Sequence, residues 1–235
     1  MWSKGYNRVL TSTLSNEQAQ FFYRKLGYTD AGAILLPDEP LEIILLKNLK
    51  SKKGDDTFLE TERLILRKFQ ENDLDDLCEV VIDPERNRMM GNDEISSVDE
   101  AKGLLEWFLY KEERAYALVL KATGRVVGDL TVQNEPPEEI KALPELAGKI
   151  GRSLSFSISR QYRRQGLMFE AVNAVIEQLF RVERVDYIHS GYLDFNIPSQ
   201  QLHKKLGFTY LTTQRFRREE GGEELVGIEN VLWRE

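Results

Sequence analysis

Hydrophobic and polar residues follow two different periods along the central part of this chain. From Ser153 to Ser159, serine and apolar residues alternate with period two, and from Leu167 to Phe180 the apolar residues recur with helical spacing. The pattern therefore predicts a strand, a short polar loop and a long helix. Backbone N–H groups at the start of such a helix lack intrahelical partners, and the loop carries Arg163, Arg164 and Gly166. These features are typical of a phosphate-binding turn.

The first fifty residues predict a small unit in the order strand, helix, strand, strand. Asn16 is expected to cap the helix, Gly27 to end it, and residues 50–56 to form a linker because they are polar and contain glycine. The predicted elements are a strand at Arg8–Leu14, a helix reaching Leu26, and a hairpin of Ala31–Leu36 and Leu41–Leu46 around Pro37–Pro40.

A second series of elements begins at Leu59. Ser97 and Glu100 have the spacing of a capping box, and the segment Glu135–Glu139 is too polar and proline-rich for a helix or a strand. The other predicted elements are a strand at Leu59–Arg67, a helix opening at Glu71–Leu77, a helix at Ala101–Lys111, strands at Tyr116–Lys121 and Arg125–Gln133, a strand at Tyr187–Asp194, a helix at Pro198–Leu206, and strands at Phe208–Arg215 and Leu225–Trp233.

Composition and charge narrow the class of protein. The net charge is −7, and residues after Gly54 carry 24 Lys/Arg against 34 Asp/Glu, so we expect no nucleic-acid partner. No apolar run is long enough for a membrane span, which makes the cytoplasm the expected compartment. Cys78 is the only cysteine, and His189 and His203 do not belong to a cluster with metal-ligand spacing. We therefore predict no intrachain disulfide and no metal.

The central loop resembles the acyl-CoA pyrophosphate loop of the GNAT N-acetyltransferases. The family pattern is (Q/R)-x-x-G-x-(G/A), and this chain has Arg163-Arg164-Gln165-Gly166-Leu167-Met168, followed by Glu170-Ala171. Arg164 and Met168 stand where the family commonly has small residues. The segments Thr61–Arg67 and Asn196–Phe208 resemble the branch of the family that includes the ribosomal-protein N-terminal acetyltransferases.

The resemblance covers residues 57–235 and implies an α/β (α+β) GNAT fold, with a mixed central sheet and helices on both faces. It also implies acetyl-CoA as cosubstrate and a bulge in the central strand that offers an N–H group to the thioester oxygen. The residues that it assigns to acetyl-CoA are Phe156, Ser157, Ile158, Arg163, Arg164, Gln165, Gly166, Leu167, Met168, Asn196 and Ser199.

The implied chemistry is acetyl transfer to a primary amine by direct attack, the amine belonging to a small molecule or a protein N-terminus. Ser199 and His203 are the candidate proton donors, although Ser199 could also stabilise the helix start and His203 could be a surface residue. The usual position of the general base is Ser153 here. Asp129, Glu135 and Asp194 stay open as alternatives for the base.

The chain also contains an internal repeat with an offset of 180 residues. Asn16, Tyr23 and Lys25-Leu26-Gly27 correspond to Asn196, His203 and Lys205-Leu206-Gly207. We therefore interpret residues 1–52 as the C-terminal half of a GNAT domain and residues 57–235 as a complete one. The half-domain is expected to dock within the chain or across a homodimer.

The N-terminal repeat and the missing glutamate leave two alternative functions open. The N-terminal unit could form a second active site that a partner subunit completes, with Tyr23 as its acid. The whole protein could also be a catalytically weak CoA-binding protein with a structural role, because the usual glutamate is missing.

Overall fold

The structure is a computed structural model that describes residues 8–26, 28–48, 57–91, 94–110, 112, 114–217 and 222–234. The chain divides into two units, residues 1–56 and residues 57–235. The predicted C-cap Gly27 and the predicted linker at residues 50–56 lie outside the described residues. No helix in the described ranges has the length and apolar character that a membrane crossing requires.

The first unit is a three-stranded antiparallel sheet with one helix. Its elements are β1 (Arg8–Leu14), α1 (Ala19–Lys25), β2 (Thr29–Ile34) and β3 (Glu42–Asn48), and β3 lies between β1 and β2. The prediction that Asn16 caps the helix is wrong, because the helix begins at Ala19. Glu17 instead accepts hydrogen bonds from the Thr13 hydroxyl at 2.7 Å and from the Leu14 N–H group, which forms a turn at the end of β1.

The second unit contains eight strands and six α-helices among its described residues. The helices are α2 (Leu74–Val81), α3 (Pro84–Met90), α4 (Val98–Tyr110), α5 (Glu138–Lys141), α6 (Leu167–Gln178) and α7 (Ile197–Lys205). The strands are β4 (Thr57–Glu60), β5 (Leu64–Lys68), β6 (Ala115–Leu120), β7 (Val126–Gln133), β8 (Gly151–Ile158), β9 (Tyr187–Leu193), β10 (Thr209–Arg217) and β11 (Glu224–Trp233).

These strands form one sheet in the order β10-β11-β9-β8-β7-β6-β5-β4. Neighbouring strands are antiparallel except β8 and β9, which are parallel. Helix α6 connects the two parallel strands, as a parallel connection requires a crossover. The parallel pair therefore divides the sheet into two antiparallel halves.

Hydrophobic cores cover both faces of the sheet. Along β6, Tyr116 and Leu118 pack in the core that contains α6, whereas Ala117 and Val119 pack against α2 and α4. This double burial explains why β6 is a continuous apolar run rather than an alternating one. The predicted mixed sheet with helices on both faces is confirmed.

Two further local predictions differ from the structure, and one helix was not predicted. The strand predicted at Leu59–Arg67 is a hairpin, because the Thr61 hydroxyl accepts a hydrogen bond from Leu64 N at 3.0 Å and turns the chain. The segment predicted as a loop at Glu135–Glu139 includes the start of α5, which buries Ile140. Helix α3 was not predicted; Asp83 caps it and Gly91 ends it.

Candidate active site

A cleft opens in the sheet where the parallel strands β8 and β9 separate. Their paired residues run from Gly151 with Tyr187 to Ser153 with His189, and the described residues beyond form no further pairs between the two strands. The Ser190 hydroxyl still donates to the Leu154 carbonyl oxygen at 3.0 Å, at the start of the opening. Backbone groups of both strands are therefore available to a ligand beyond this point.

The cleft has a volume of about 250 Å³ and is lined by strands and by two helices. Met89 and Met90 of α3 contribute to the lining, and Phe216 comes from β10. Of the residues that sequence analysis assigned, Phe156, Asn196 and Ser199 line the cleft. Helix α3, which the sequence pattern did not reveal, therefore contributes directly to the site.

The backbone of Phe156 points toward the separation between β8 and β9. Ser159 N donates to Val127 O on the β7 side, and the Leu154 carbonyl faces β9, so alternation directs the Phe156 N–H and C=O groups toward β9 as well. The expected bulge in β8 is wrong for the described residues, since β8 pairs with β7 in continuous register from Ser153 to Ile158. Strand divergence, rather than a bulge, frees these groups.

Ser157 belongs to a buried polar network instead of the cleft lining. Its hydroxyl donates to the Asp129 carboxylate and accepts from Arg86 Nε at 3.1 Å. Burial raises the pKa of Asp129, and the nearby Arg86 guanidinium and the Ser157 hydroxyl act in the opposite direction. This network fixes α3 against β7 and β8.

The loop before α6 has the conformation that a glycine favours. Gly166 has φ of +78°, and Arg164 also has a positive φ of +59°. The side chains of Leu167 and Met168 are buried in the core, so only their backbone groups are available to a ligand at the helix start. Arg164 and Gln165 are exposed.

Two ion-paired arginines hold this loop in place. Arg163 contacts the carboxylates of Asp83 and Glu85, each at 2.9 Å. Arg63 donates to Glu170 at 2.7 Å and to the Gln165 carbonyl oxygen at 2.9 Å. Arg163 is thus already engaged by two carboxylates, which leaves Arg164 as the more accessible cation of the loop.

His203 is a buried residue, contrary to the alternative that it lies on the surface. Only 2% of it is exposed, and it lies among the rings of Phe156, Tyr192 and Phe208. Desolvation lowers its pKa to about 4. Nδ1 lies 2.8 Å from the Ser199 carbonyl oxygen, which requires a proton on Nδ1, and Nε2 has no hydrogen-bond partner in the described structure. A neutral imidazole is a weak acid, so these features do not favour His203 as the donor.

Ser199 and Asn196 lie together at the start of α7. Asn196 Oδ1 accepts from Ser199 N at 3.1 Å and caps the helix, while Asn196 Nδ2 donates to the Met89 carbonyl oxygen at 3.2 Å. The Ser199 hydroxyl lies 3.3 Å from His203 Nδ1. Ser199 therefore both lines the cleft and contributes to the helix start.

The three carboxylates considered as bases lie elsewhere. Asp129 is in the buried network, Glu135 forms an ion pair with Lys141, and Asp194 is exposed after the end of β9. In the described part of the chain, none of them lines the cleft.

A different carboxylate lines the cleft, and His189 connects it to Ser153. Glu229 of β11 lies 2.8 Å from His189 Nε2, and His189 Nδ1 lies 2.9 Å from the Ser153 hydroxyl. No sequence motif pointed to this carboxylate. The sequence shows only that Glu229 is a carboxylate within an apolar strand. It does not show that His189 lies beside it on the neighbouring strand.

Comparison with known proteins identifies the family. A family model described as an acetyltransferase (GNAT) domain matches residues 63–209, more than half of the chain. The chain therefore belongs to the GNAT acetyltransferases. It is an N-acetyltransferase, and the family transfers acetyl groups from acetyl-CoA. The predicted fold, family and enzyme class are confirmed.

One curated protein and several solved structures are similar to this chain. The uncharacterized N-acetyltransferase p20 of Bacillus licheniformis is 25% identical over 154 residues, which cover 64% of this chain and 81% of that protein. A GNAT acetyltransferase structure from Bacillus anthracis has a TM-score of 0.61 at 16% identity, and it covers 74% of this chain and 97% of its own. A structure from Vibrio cholerae, described as a ribosomal-protein-serine acetyltransferase, has a TM-score of 0.59 at 21% identity, with coverage of 78% and 100%. These structures share the fold.

Proposed function

We propose that the protein transfers an acetyl group from acetyl-CoA to a primary amine by direct attack in the cleft between β8 and β9. The separation of the two strands carries this proposal, because it exposes the Phe156 backbone beside a cavity. A strand edge of this kind can pair with the amide groups of the pantetheine arm. The Phe156 N–H group is suited to polarise the thioester carbonyl.

The loop before α6 is suited to the pyrophosphate. Gly166, Leu167 and Met168 contribute backbone groups at the helix start, where the helix dipole favours an anion. Exposed Arg164 and Gln165 add a charge and a polar side chain, whereas Arg163 acts through its ion pairs with α3. Ser157 and Ile158 support the strand rather than line the cleft.

Ser199 is the better candidate to protonate the departing thiolate. Its hydroxyl belongs to the cleft lining, while His203 lies behind it and is neutral near pH 7. His203 is therefore proposed as a structural support for Phe156 and Ser199. Asn196 is proposed to position Ser199 by capping α7.

The amine is proposed to be cationic in solution, because the cleft carries a carboxylate. Both a small molecule and a protein N-terminus present such a group. A ribosomal-protein substrate is one version of the second class, suggested by the description of the Vibrio cholerae relative.

A thiol-release assay tests the proposal. The full-length protein, acetyl-CoA and a panel of polyamines, aminoglycosides and short peptides with free N-termini should give amine-dependent release of CoA. Mass spectrometry should locate the acetyl group on nitrogen. Tight CoA binding without turnover on any amine would instead favour the catalytically weak, structural alternative.

A further inference from the structure

The cleft contains a carboxylate that the comparisons assign no role. Glu229 has the only charged side chain among the described residues that line the cleft. Its side chain is 13% exposed, so it is largely withdrawn from solvent yet faces the cavity. A carboxylate in that position is able to contact a bound amine.

Two glycines leave space for the Glu229 carboxylate. Glu229 pairs with Gly191 across β11 and β9, and a Cβ atom at Gly191 would overlap the carboxylate. A Cβ atom at Gly227 would lie 3.0 Å from Glu229 Oε1. Any larger residue at Gly191 would force the carboxylate to move, so the absence of a side chain there determines where Glu229 points.

His189 holds the carboxylate from the side away from the cleft. Its Nε2 lies 2.8 Å from Glu229 Oε2, and its Nδ1 lies 2.9 Å from the Ser153 hydroxyl. When the neutral ring donates Nε2–H to Glu229, Nδ1 accepts a hydrogen bond from the Ser153 hydroxyl. When both ring nitrogens carry a proton, Nδ1–H donates to the Ser153 hydroxyl oxygen instead. The Ser153 hydroxyl can therefore pair with Nδ1 whether or not that nitrogen carries a proton. The His189 side chain is only 5% exposed, so little water reaches these hydrogen bonds.

We propose that Glu229 is the general base for the amine, and that His189 and Ser153 position it. This inference rests on the proposed function. The base thus comes from β11, and its side chain passes over Gly191 of β9. Ser153, at the β8 position that usually carries a glutamate, supplies the hydroxyl that orients His189. The carboxylate that lines the cleft therefore comes from another strand and is connected to Ser153 through His189.

A Glu229 oxygen takes one proton from the ammonium group, which leaves a neutral amine. The nitrogen lone pair attacks the thioester carbonyl carbon, a C–N bond forms, and the C–S bond breaks as its electron pair moves to sulfur. Nitrogen loses a second proton and sulfur gains one. Glu229 returns its proton to solvent, so each turnover releases one proton.

The described titratable side chains around Glu229 come from two neighbouring elements. His189 and Tyr192 belong to β9 and His203 to α7, whereas α3 contributes Met89 and Met90. Among the described lining residues, no lysine or arginine competes for the carboxylate. A bound ammonium group would therefore meet Glu229 as the one charged side chain of the described lining.

Glu229→Gln tests the assignment in the full-length protein. Glutamine keeps an oxygen that can accept from His189, but it cannot take a proton. With the best amine of the panel, kcat/KM near neutral pH should fall by about 10²-fold or more. The loss should shrink as the pH approaches the amine pKa, because solvent then supplies neutral amine. Acetyl-CoA affinity should change by less than about threefold.

Glu224→Gln is the matched control. Glu224 lies on the same strand, but it is exposed and paired with Arg215 at 2.9 Å, so its replacement should leave the pH profile unchanged. Gly191→Ala keeps all three polar residues and should reproduce the Glu229→Gln profile by displacing the carboxylate. His189→Phe should lower kcat, and His189→Gln should restore part of it because the amide can still donate to Glu229.

Two results would overturn the assignment. A folded Glu229→Gln protein whose pH profile superimposes on those of the wild type and Glu224→Gln would remove Glu229 as the base while leaving the proposed function intact. A wild-type protein that transfers acetyl to no amine would overturn both. Circular dichroism and acetyl-CoA affinity distinguish a folded, inactive variant from a misfolded one.

Discussion

Gly166→Val should distinguish the role of the loop conformation in CoA binding from its role in the stability of the fold. Gly166 has φ of +78°, and a Cβ atom would meet only Arg63 Nη2, at 3.5 Å. Steric crowding is therefore small, and the penalty comes from the left-handed backbone, about 1–2 kcal/mol for a residue with a side chain. In a unit of this size that corresponds to a melting-temperature loss of about 2–8 °C.

The effect on CoA binding should be larger than the effect on stability. If valine shifts the loop, two backbone hydrogen bonds to a charged phosphate are lost, each contributing about 1.5 kcal/mol. The sum of about 3 kcal/mol corresponds to an affinity loss of about 100-fold. Calorimetric titration of the full-length variant with CoA measures this loss directly.

Gly124→Val is the control for backbone strain. Gly124 lies in the turn between β6 and β7 with φ of +71°, and a Cβ atom there would meet nothing within 4 Å. It should lose similar stability and keep its CoA affinity. Unchanged CoA affinity in folded Gly166→Val, or an equal loss in Gly124→Val, would refute the phosphate role of the loop.

Three further predictions concern the proton donor, the buried histidine and the N-terminal unit. Ser199→Ala should lower kcat by about 10²-fold with little change in acetyl-CoA affinity, and unchanged turnover would assign thiolate protonation to water. Because burial lowers the His203 pKa to about 4 from 6.5, the folded state should lose up to about 3 kcal/mol as the pH falls through this range. Urea midpoints at about pH 7 and about pH 4.5 should reveal this loss, and His203→Phe should remove it. A peptide of residues 1–50 should be disordered by circular dichroism, since Leu45 is the only large apolar side chain buried in the described part of that unit. Deletion of residues 1–52 should promote aggregation or change the solution mass, and an unaltered mass, melting temperature and activity would contradict the half-domain interpretation.

Periodicity was sufficient to predict most of the regular elements. The strand at β8, the loop at Gly166 and helix α6 follow from apolar spacing and a single glycine, because these signals act between residues close in sequence. The capping box at Ser97 and Glu100 is also present, with Glu100 N donating to Ser97 Oγ at 3.3 Å and Ser97 N to Glu100 at 3.0 Å. Because these hydrogen bonds join residues close in sequence, such features can be predicted without knowledge of the fold.

Errors arose where a local signal had more than one meaning. The apolar alternation across Leu59–Arg67 did not reveal the turn made by the Thr61 hydroxyl. Asn16 is a good cap in isolation, but Glu17 bonds back to β1 and delays the helix start. In both cases one side-chain hydrogen bond determined where the element begins or ends.

The family, the glycine turn before α6 and most element boundaries follow from the sequence alone, since each depends on neighbouring residues. Only the tertiary structure determined which carboxylate faces the cleft. Ser153, His189 and Glu229 lie on three strands, and His189 is 36 and 40 residues away from the other two. Their contact requires the parallel register of β8 with β9 and the antiparallel register of β9 with β11. Sheet register is set by packing across the whole domain, so no local pattern specifies it.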